Sequence, residues 1–462
     1  MNQKRVSGAV LVAIAIVLVY MLSPLTVWFA AGIVPVVVLG TRSLRADERR
    51  VVTGMLVVAI ALRVVVIVAL FLTTNHGQVP FGSFFGDEDY FIKRSLWLRN
   101  LALGAPLQQF DLEYAFEPHG SARYLYFLAL IQMLVGPSPY GLHLLGVFFY
   151  MLAAVLLYRL VRTAFGRMPA RFGLAVLLFL PSLFAWSVSV LKEPLFILVS
   201  ALSLILAVKL VRAHSWRSRG LAFAGIIALA AVLGSVRQDG EAFSLLGVAV
   251  GLTIGFLAMR PRFMLATLVA TPILFGAILA RPDVQLKAYT AIQAAARQHW
   301  GSVVVSQGYP FQLLDERFYP DVNEVSSLQL GETLRFLARA VVAYVTVPLP
   351  WMAPSRAAVA YLPEQVIWYV LAALGFAGLL FAFRYDALVA GLLAGHALVV
   401  FAAVAFTSGN VGTLVRHRGL ALPYIVWLSG VGACELLRAV RRAGAPRLSH
   451  PDSTPLREMR ST

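Results

Sequence analysis

Runs of about twenty apolar residues, separated by short charged turns, recur along most of this chain, and ~20 helical residues is the length that crosses a ~30 Å hydrocarbon layer. On that measure the pattern predicts twelve membrane-spanning helices, at about 6–22, 24–40, 51–72, 141–160, 171–191, 194–211, 219–236, 242–258, 263–280, 364–383, 386–406 and 420–437. Two long segments interrupt the series, Thr73–Tyr140 and Arg281–Leu362. When spans alternate in direction both fall on one side, and loops of such length carry function or are disordered. Their many aromatics argue for packed structure. Within the first, the apolar stretch Tyr124–Val135 reaches only ~18 Å as a helix and cannot cross. It reads as a helix lying in the membrane interface, ended by Gly136-Pro137-Ser138-Pro139 because proline lacks a donor and keeps its predecessor out of the helical region. Phe336–Val347 reads as a second interfacial or re-entrant helix, closed by Pro348-Leu349-Pro350-Trp351.

The fold class is thus an all-α, polytopic transmembrane bundle of about twelve spans whose outer loops carry interfacial helices. The chain divides into an N-terminal hairpin (1–45), a transmembrane module (46–280) with the first outer loop (73–140), a second outer loop (281–363), C-terminal transmembrane helices (364–443) and a tail (444–462) that reads as disordered.

Composition agrees. Hydrophobic residues make up 60% and charged residues 13%, with a mean hydropathy of +0.79, whereas soluble domains carry about 25% charge. A lone cysteine, Cys434, excludes an intramolecular disulfide framework and a multi-cysteine zinc site. The net charge of +17 would suggest nucleic acid if it were clustered. Sorted by loop, the entire excess falls on the side of the N-terminus, in Arg42–Arg50, Arg159–Arg171, Lys209–Arg219 and the tail after Arg438. That asymmetry is the positive-inside rule; it places both termini in the cytoplasm and implies membrane lipid, with no nucleic-acid partner. The first apolar run lacks a cleavage site before the second and reads as an uncleaved anchor. An arginine-, alanine- and valine-rich composition points to a bacterial plasma (inner) membrane.

Four charged groups at outer span ends are candidates for chemistry. Asp87-Glu88-Asp89-Tyr90 places three acids side by side near a low-dielectric surface, which raises the cost of ionising all three and can poise one as a base; the plainer alternative is a solvated helix entrance neutralised by Lys93 and Arg94. Lys192-Glu193-Pro194 joins two spans otherwise free of charge from Gly173 to Val208. Ionisable groups at such depth mark functional sites by default, although a Lys–Glu pair can also simply cap a hairpin. Arg237, next to Asp239 and Glu241, and Arg416-His417-Arg418 are cations on the side that should be poor in them. A phosphate at the membrane surface would explain them, as would an ion-pair network among the same residues. Arg63, ~14 Å from the nearer end of its span, requires a partner, in the bundle or in a substrate. There is no Walker loop, dinucleotide fingerprint, HExxH or GxSxG, so nucleotide-driven transport and serine or zinc hydrolysis lose their usual support.

Over residues 46 to 437 the order of these elements resembles the GT-C class of polyprenyl-phosphate-dependent glycosyltransferases, in particular bacterial relatives of protein O-mannosyltransferases and aminoarabinose transferases. The likeness rests on Asp87-Glu88 followed by Tyr90, an interfacial helix ending at Gly136, Tyr158-Arg159, Phe165-Gly166, Pro181-Ser182, the Lys192-Glu193-Pro194 hairpin, and Asn410-Val411-Gly412 to Arg416-His417-Arg418 before Pro423. The resemblance implies a hexosyl- or pentosyltransferase of cell-envelope biogenesis, with a polyprenyl-phosphate sugar as donor and a glycan, lipid or protein hydroxyl as acceptor. It implies Asp87 as general base supported by Glu88 and Glu193, and Asp89, Tyr90, Lys192, Arg237, Arg416, His417 and Arg418 as substrate-binding residues. The acids are also of the type that holds Mg or Mn, with no soluble cofactor required. Compared with that class, two extra spans precede the catalytic loop and no large C-terminal outer domain follows, which shifts acceptor recognition to Arg281–Leu362. A transporter or flippase of lipid-linked saccharide, or a catalytically silent partner subunit, are the competing readings.

Overall fold

The computed structural model describes residues 23–116, 122–237, 239–260, 280–305, 309–349 and 356–444, with short pieces of 13–21 and 262–277 and residue 351. Much of the expected spans at 6–22 and 263–280, and the tail beyond 444, lie outside the described residues.

The protein is an all-α polytopic bundle. Its helices are α1 (Pro24–Thr41), α2 (Ala46–Thr73), α3 (Gly86–Ala102), α4 (Gln109–Ala115), α5 (Ala122–Val135), α6 (Pro139–Phe165), α7 (Arg167–Phe179), α8 (Pro181–Ser187), α9 (Glu193–Arg212), α10 (Trp216–Val236), α11 (Gly240–Ala258), α12 (Pro282–Val304), α13 (Leu330–Thr346), α14 (Arg356–Thr407), α15 (Val411–Arg418) and α16 (Leu422–Gly444). Among the described residues seven helices are long and apolar enough to cross a membrane, or nine if each of two bent pairs is one crossing. The twelve crossings read from the sequence include two runs, 6–22 and 263–280, that lie in large part outside the described residues.

One expected straight span is broken, and another is preceded by a short helix set at an angle to it. The run 171–191 divides into α7 and α8, inclined by 63°, because Pro181 cannot donate to the preceding turn and holds Leu180 extended at φ −63°, ψ 125°. The last span is preceded by α15, bent by 64° from α16. The runs at 364–383 and 386–406 form two helical stretches of α14 that meet at a kink at Asp386, whose φ −154° and ψ 93° are not helical, and both stretches pack on Tyr344, through Trp368 and Phe401. The Asp386 carboxylate accepts from the Val389 amide at 3.2 Å and from Arg212 at 2.7 and 2.6 Å. The unsatisfied donors of a new first helical turn are thereby met by a capping side chain.

Helix contacts at depth rely on absent side chains. A Cβ on Gly378 would stand 1.9 Å from the Leu428 carbonyl oxygen of α16, and one on Gly391 would stand 2.4 Å from the Gly255 nitrogen of α11. Close backbone approach of this kind is how helices associate where lipid removes the hydrophobic drive.

The two long inter-span segments are folded. The first contains α3, α4 and α5, of which only the last was anticipated, and Gln132 of α5 donates to Ser95 Oγ of α3 at 3.0 Å. The second holds α12, two 3₁₀ turns (Glu316–Phe318 and Val322–Ser327) and α13, around a separate core that includes Ala296, Leu313, Phe318, Val325, Phe336 and Ala340. At its centre His299 donates from Nδ1 to the Ser408 carbonyl (2.8 Å), while Nε2 accepts from the Leu313 amide (3.2 Å) and the Tyr319 hydroxyl (3.1 Å). The α12 helix and this core are not legible as periodic apolar spans, because most of α12 is polar and alanine-rich.

Candidate active site

Asp87, Glu193 and Arg416 come from three distant parts of the chain and meet at one end of the bundle. Asp87 stands in the first turn of α3, where the helix dipole favours a carboxylate. Glu193 opens α9 immediately before Pro194, with Lys192 at the N-cap. Arg416 lies near the C-terminus of α15, where cations are favoured. Its Nε donates to Glu193 Oε1 at 2.8 Å and its Nη1 to Asp87 Oδ2 at 2.5 Å. One guanidinium thus bridges two carboxylates, with Glu193 nearly inaccessible and the Asp87 side chain 60% exposed.

Further cations surround the bridge. Arg237, in the turn between α10 and α11, reaches His417 Nε2 from Nη2 at 3.3 Å. The Lys192 ammonium is lowered from its ordinary value by burial and then by the nearby Arg237 guanidinium, against the pull of Glu193. Three basic side chains, Arg416, Arg237 and Lys192, therefore cluster with the carboxyl groups of Asp87 and Glu193.

Glu88 is not a third negative charge. It is wholly buried beneath Asp87, with its Oε2 accepting from the Phe84 amide at 3.2 Å and lying 3.7 Å from His143 Nδ1. Burial pushes its carboxyl up to about 8, which keeps it protonated at neutral pH. The His143 ring donates instead, through Nδ1, to the Val188 carbonyl at 2.9 Å.

The remaining wall is the irregular turn from Trp186 to Lys192. Trp186 lies 5.7 Å below the Arg416 guanidinium and 4.6 Å from the Phe85 ring. Tyr124 of α5 donates to the Leu191 carbonyl at 3.0 Å. This turn is braced from within the bundle by Arg63, whose side chain is fully buried. Its Nε donates to Ser187 Oγ (2.7 Å) and its Nη2 to the Leu178 carbonyl (3.0 Å), one of the acceptors freed where Pro181 breaks the helix. Phe184 packs on its face at 4.6 Å. The partner required by Arg63 is the broken helix itself, which sets the direction of Trp186 and Glu193.

Three residues grouped with this site by sequence point elsewhere. Asp89 pairs with Lys93 at 2.7 Å one turn along α3, and Tyr90 lies under Arg94 at 4.1 Å. The arrangement around this pair is the solvated helix entrance that the sequence also allowed. Arg418 sits two residues beyond Arg416, and ~200° around a helix of 3.6 residues per turn reverses its direction. It is buried between Trp368 and Tyr344, donating to Gln365 Oε1 at 3.0 Å and to the Val347 carbonyl at 2.5 Å. Its bonds tie α15 to α14 and to the end of α13, away from Asp87.

Trp186, His143 and Tyr124 are not legible in the sequence as site residues, since an isolated aromatic or histidine beside an apolar run carries no periodic or motif signal. Buried Glu88 Oε1, His143 Nε2, Trp186 Nε1 and Glu193 Oε2 have no protein partner among the described residues. Such groups are what a ligand or ordered water would satisfy. No group of three or more His, Cys, Asp or Glu side chains among the described residues is arranged to hold a metal ion; Arg416 stands where a cation bridging Asp87 and Glu193 would be.

The second inter-span segment is joined to this site by backbone. Phe311 donates to the Gly409 carbonyl and the Val411 amide to the Tyr309 carbonyl, each at 2.9 Å, just before α15 begins. Asn410 caps α15 through Oδ1, which accepts from the Gly412 amide at 2.8 Å. Beside this junction is an open cavity of about 610 Å³ lined by Tyr309, Phe311, Arg339, Val342, Thr346 and Pro348. Compared with protein-family models, curated proteins and solved structures, the chain matches none.

Proposed function

We propose that this protein is a membrane glycosyltransferase that moves a sugar from a polyprenyl-phosphate donor to an acceptor hydroxyl. The observation that carries the reading is the bridge from Arg416 to both Asp87 and Glu193, with Arg237 and Lys192 beside it. Donor phosphate oxygens and Asp87 compete for the same Arg416 Nη1 donor. Phosphate binding would free the Asp87 carboxylate to take the proton of an acceptor hydroxyl. As the acceptor oxygen bonds to the anomeric carbon, the bond from that carbon to the phosphate oxygen breaks and its electron pair leaves with the phosphate. Arg416 and Arg237 stabilise that charge, while Glu193 fixes the Arg416 guanidinium. Neutral Glu88 adds no repulsion to the anion. The cavity at Tyr309–Leu313 and α13, stitched to α15, is the place for acceptor recognition.

In this reading the site faces outward from a bacterial plasma membrane and both termini are cytoplasmic. The grouping of Asp87, Glu193, Arg237 and Arg416 at one end supports it, because the arginine-rich turns lie at the other.

A second reading has its own support. Two broken, charge-bearing helices, bent by 63° and 64° next to the site, are a construction used by transporters. Purified protein given polyprenyl-phosphate sugar and an acceptor separates the two. Release of free polyprenyl phosphate with a glycosylated acceptor supports transfer, and movement of intact donor across a bilayer without release supports a flippase.

A further inference from the structure

At the end of the bundle opposite Asp87, α1 and α6 finish side by side. The polarity is set by their contacts: Ser23, just before α1, meets Ser138, just before α6, at 3.2 Å. Their far ends meet where Arg159 Nη1 donates to the carbonyls of Leu39 (2.6 Å) and Arg42 (3.1 Å). The two ends of α6 are ~40 Å apart by helical rise, so nothing at this end belongs to the site described above.

A pocket of about 320 Å³ opens here. Its wall is apolar, from Leu39, Leu156, Leu160 and Ile205, and its rim carries Arg42, Arg159 and Arg162. Arg162 is neutralised by buried Glu48 through bonds of 2.8 and 2.9 Å. Arg42 and Arg159 make no ion pair with any described residue. Arg159 spends its hydrogen bonds on two orphan carbonyls at the end of α1, and Arg42 is exposed. Asp47, the nearest acid on the adjoining turn of α2, is engaged by Arg167 at 3.5 Å. Two uncompensated guanidiniums therefore face an apolar wall at the charged end of a membrane bundle.

We infer that this pocket binds the phosphate headgroup of an anionic phospholipid, with the upper acyl chain on the leucine wall. Guanidinium donors match phosphate oxygens in pairs, and basic pockets between transmembrane helices recognise such headgroups. The volume lies at the lower end of the range for small-ligand sites, which suits a headgroup and not a whole lipid. Bound lipid links α1 to α6 across the Arg42–Arg45 turn. This site is independent of sugar transfer.

The test uses the full-length protein in detergent, read by native mass spectrometry with phosphatidylglycerol or phosphatidylcholine added. Phosphatidylglycerol should be retained at least about tenfold more tightly than phosphatidylcholine, and should raise the melting temperature. Arg42→Gln, which removes no internal hydrogen bond, should abolish both effects, whereas Arg217→Gln, at the same end but outside the pocket, should leave them unchanged. Equal retention of the two lipids, or equal loss in Arg42→Gln and Arg217→Gln, overturns the proposal in favour of diffuse surface charge. Displacement of phosphatidylglycerol by millimolar inorganic phosphate overturns it in favour of a free-anion site.

Discussion

Arg416 and Glu193, separated by 223 positions in the chain, share a 2.8 Å hydrogen bond at the junction of two broken helices. The pair is the fixed half of the Arg416 bridge, since Glu193 is nearly inaccessible while Asp87, on the other arm, is mostly exposed. Replacing Arg416 by Lys should keep a charge but lose the fork that reaches both carboxylates. Donor affinity should fall about tenfold or more, the equivalent of ~1.5–3 kcal/mol for a charge-assisted bond. Titration with a polyprenyl-phosphate analogue measures this, and unchanged affinity would assign Arg416 to structure alone.

Arg418→Ala should give the opposite phenotype. Removing its buried side chain leaves the Val347 carbonyl and Gln365 Oε1 without this donor, at a cost of roughly 1–3 kcal/mol for each group left unsatisfied. Thermal unfolding in detergent should show the loss, with donor affinity of the surviving folded protein little changed. A selective loss of donor binding at full stability would return Arg418 to the site.

Asp87→Asn should abolish transfer while the protein remains folded. The amide keeps the shape of the side chain but cannot accept the proton of the acceptor hydroxyl. Wild-type turnover by this variant would remove Asp87 from the mechanism.

The raised Glu88 carboxyl makes a prediction with a definite sign. Between the ordinary value of 4.5 and about 8 the folded protein holds a proton that the unfolded chain has released. Stability should therefore fall as pH rises through that window, at up to about 1.4 kcal/mol per pH unit. Glu88→Gln should flatten this slope in denaturation followed from pH 5 to 8, and an unchanged slope would show that Glu88 is ionised in the fold.

His299 should act in the other direction. Burial lowers its imidazole to about 4 from 6.5, so acidification protonates the unfolded chain first. Its contribution to stability is complete above 6.5 and is lost as pH falls toward about 4. Limited proteolysis of the 282–346 region should accelerate over that window, and His299→Asn should leave cleavage faster at every pH. Cleavage independent of pH in the wild type would contradict a neutral, buried His299.

The helical membrane bundle was legible in the sequence because a hydrocarbon layer imposes one requirement on every span, a run of apolar residues long enough to satisfy its own backbone. That requirement acts locally and is visible in any window of the chain. The acids and cations that belong together were legible as suspects for the same reason: charge at the end of an apolar run is expensive and stands out. What the tertiary structure alone decided was their company. Glu88 and Asp87 are adjacent in the chain, but one is sealed and neutral while the other faces solvent beside Arg416. Arg416 and Arg418 look equivalent in sequence, yet two residues on a helix point in nearly opposite directions, one toward Glu193 and one into the Tyr344–Trp368 cleft. The break at Pro181 was visible as a proline, but its consequence was not, because whether a proline bends a span or starts a helix depends on what receives the freed carbonyls. Here Tyr150 takes the Leu177 carbonyl and Arg63, more than a hundred residues earlier in the chain, takes that of Leu178, and no local pattern of hydrophobicity encodes which distant donor a carbonyl will meet.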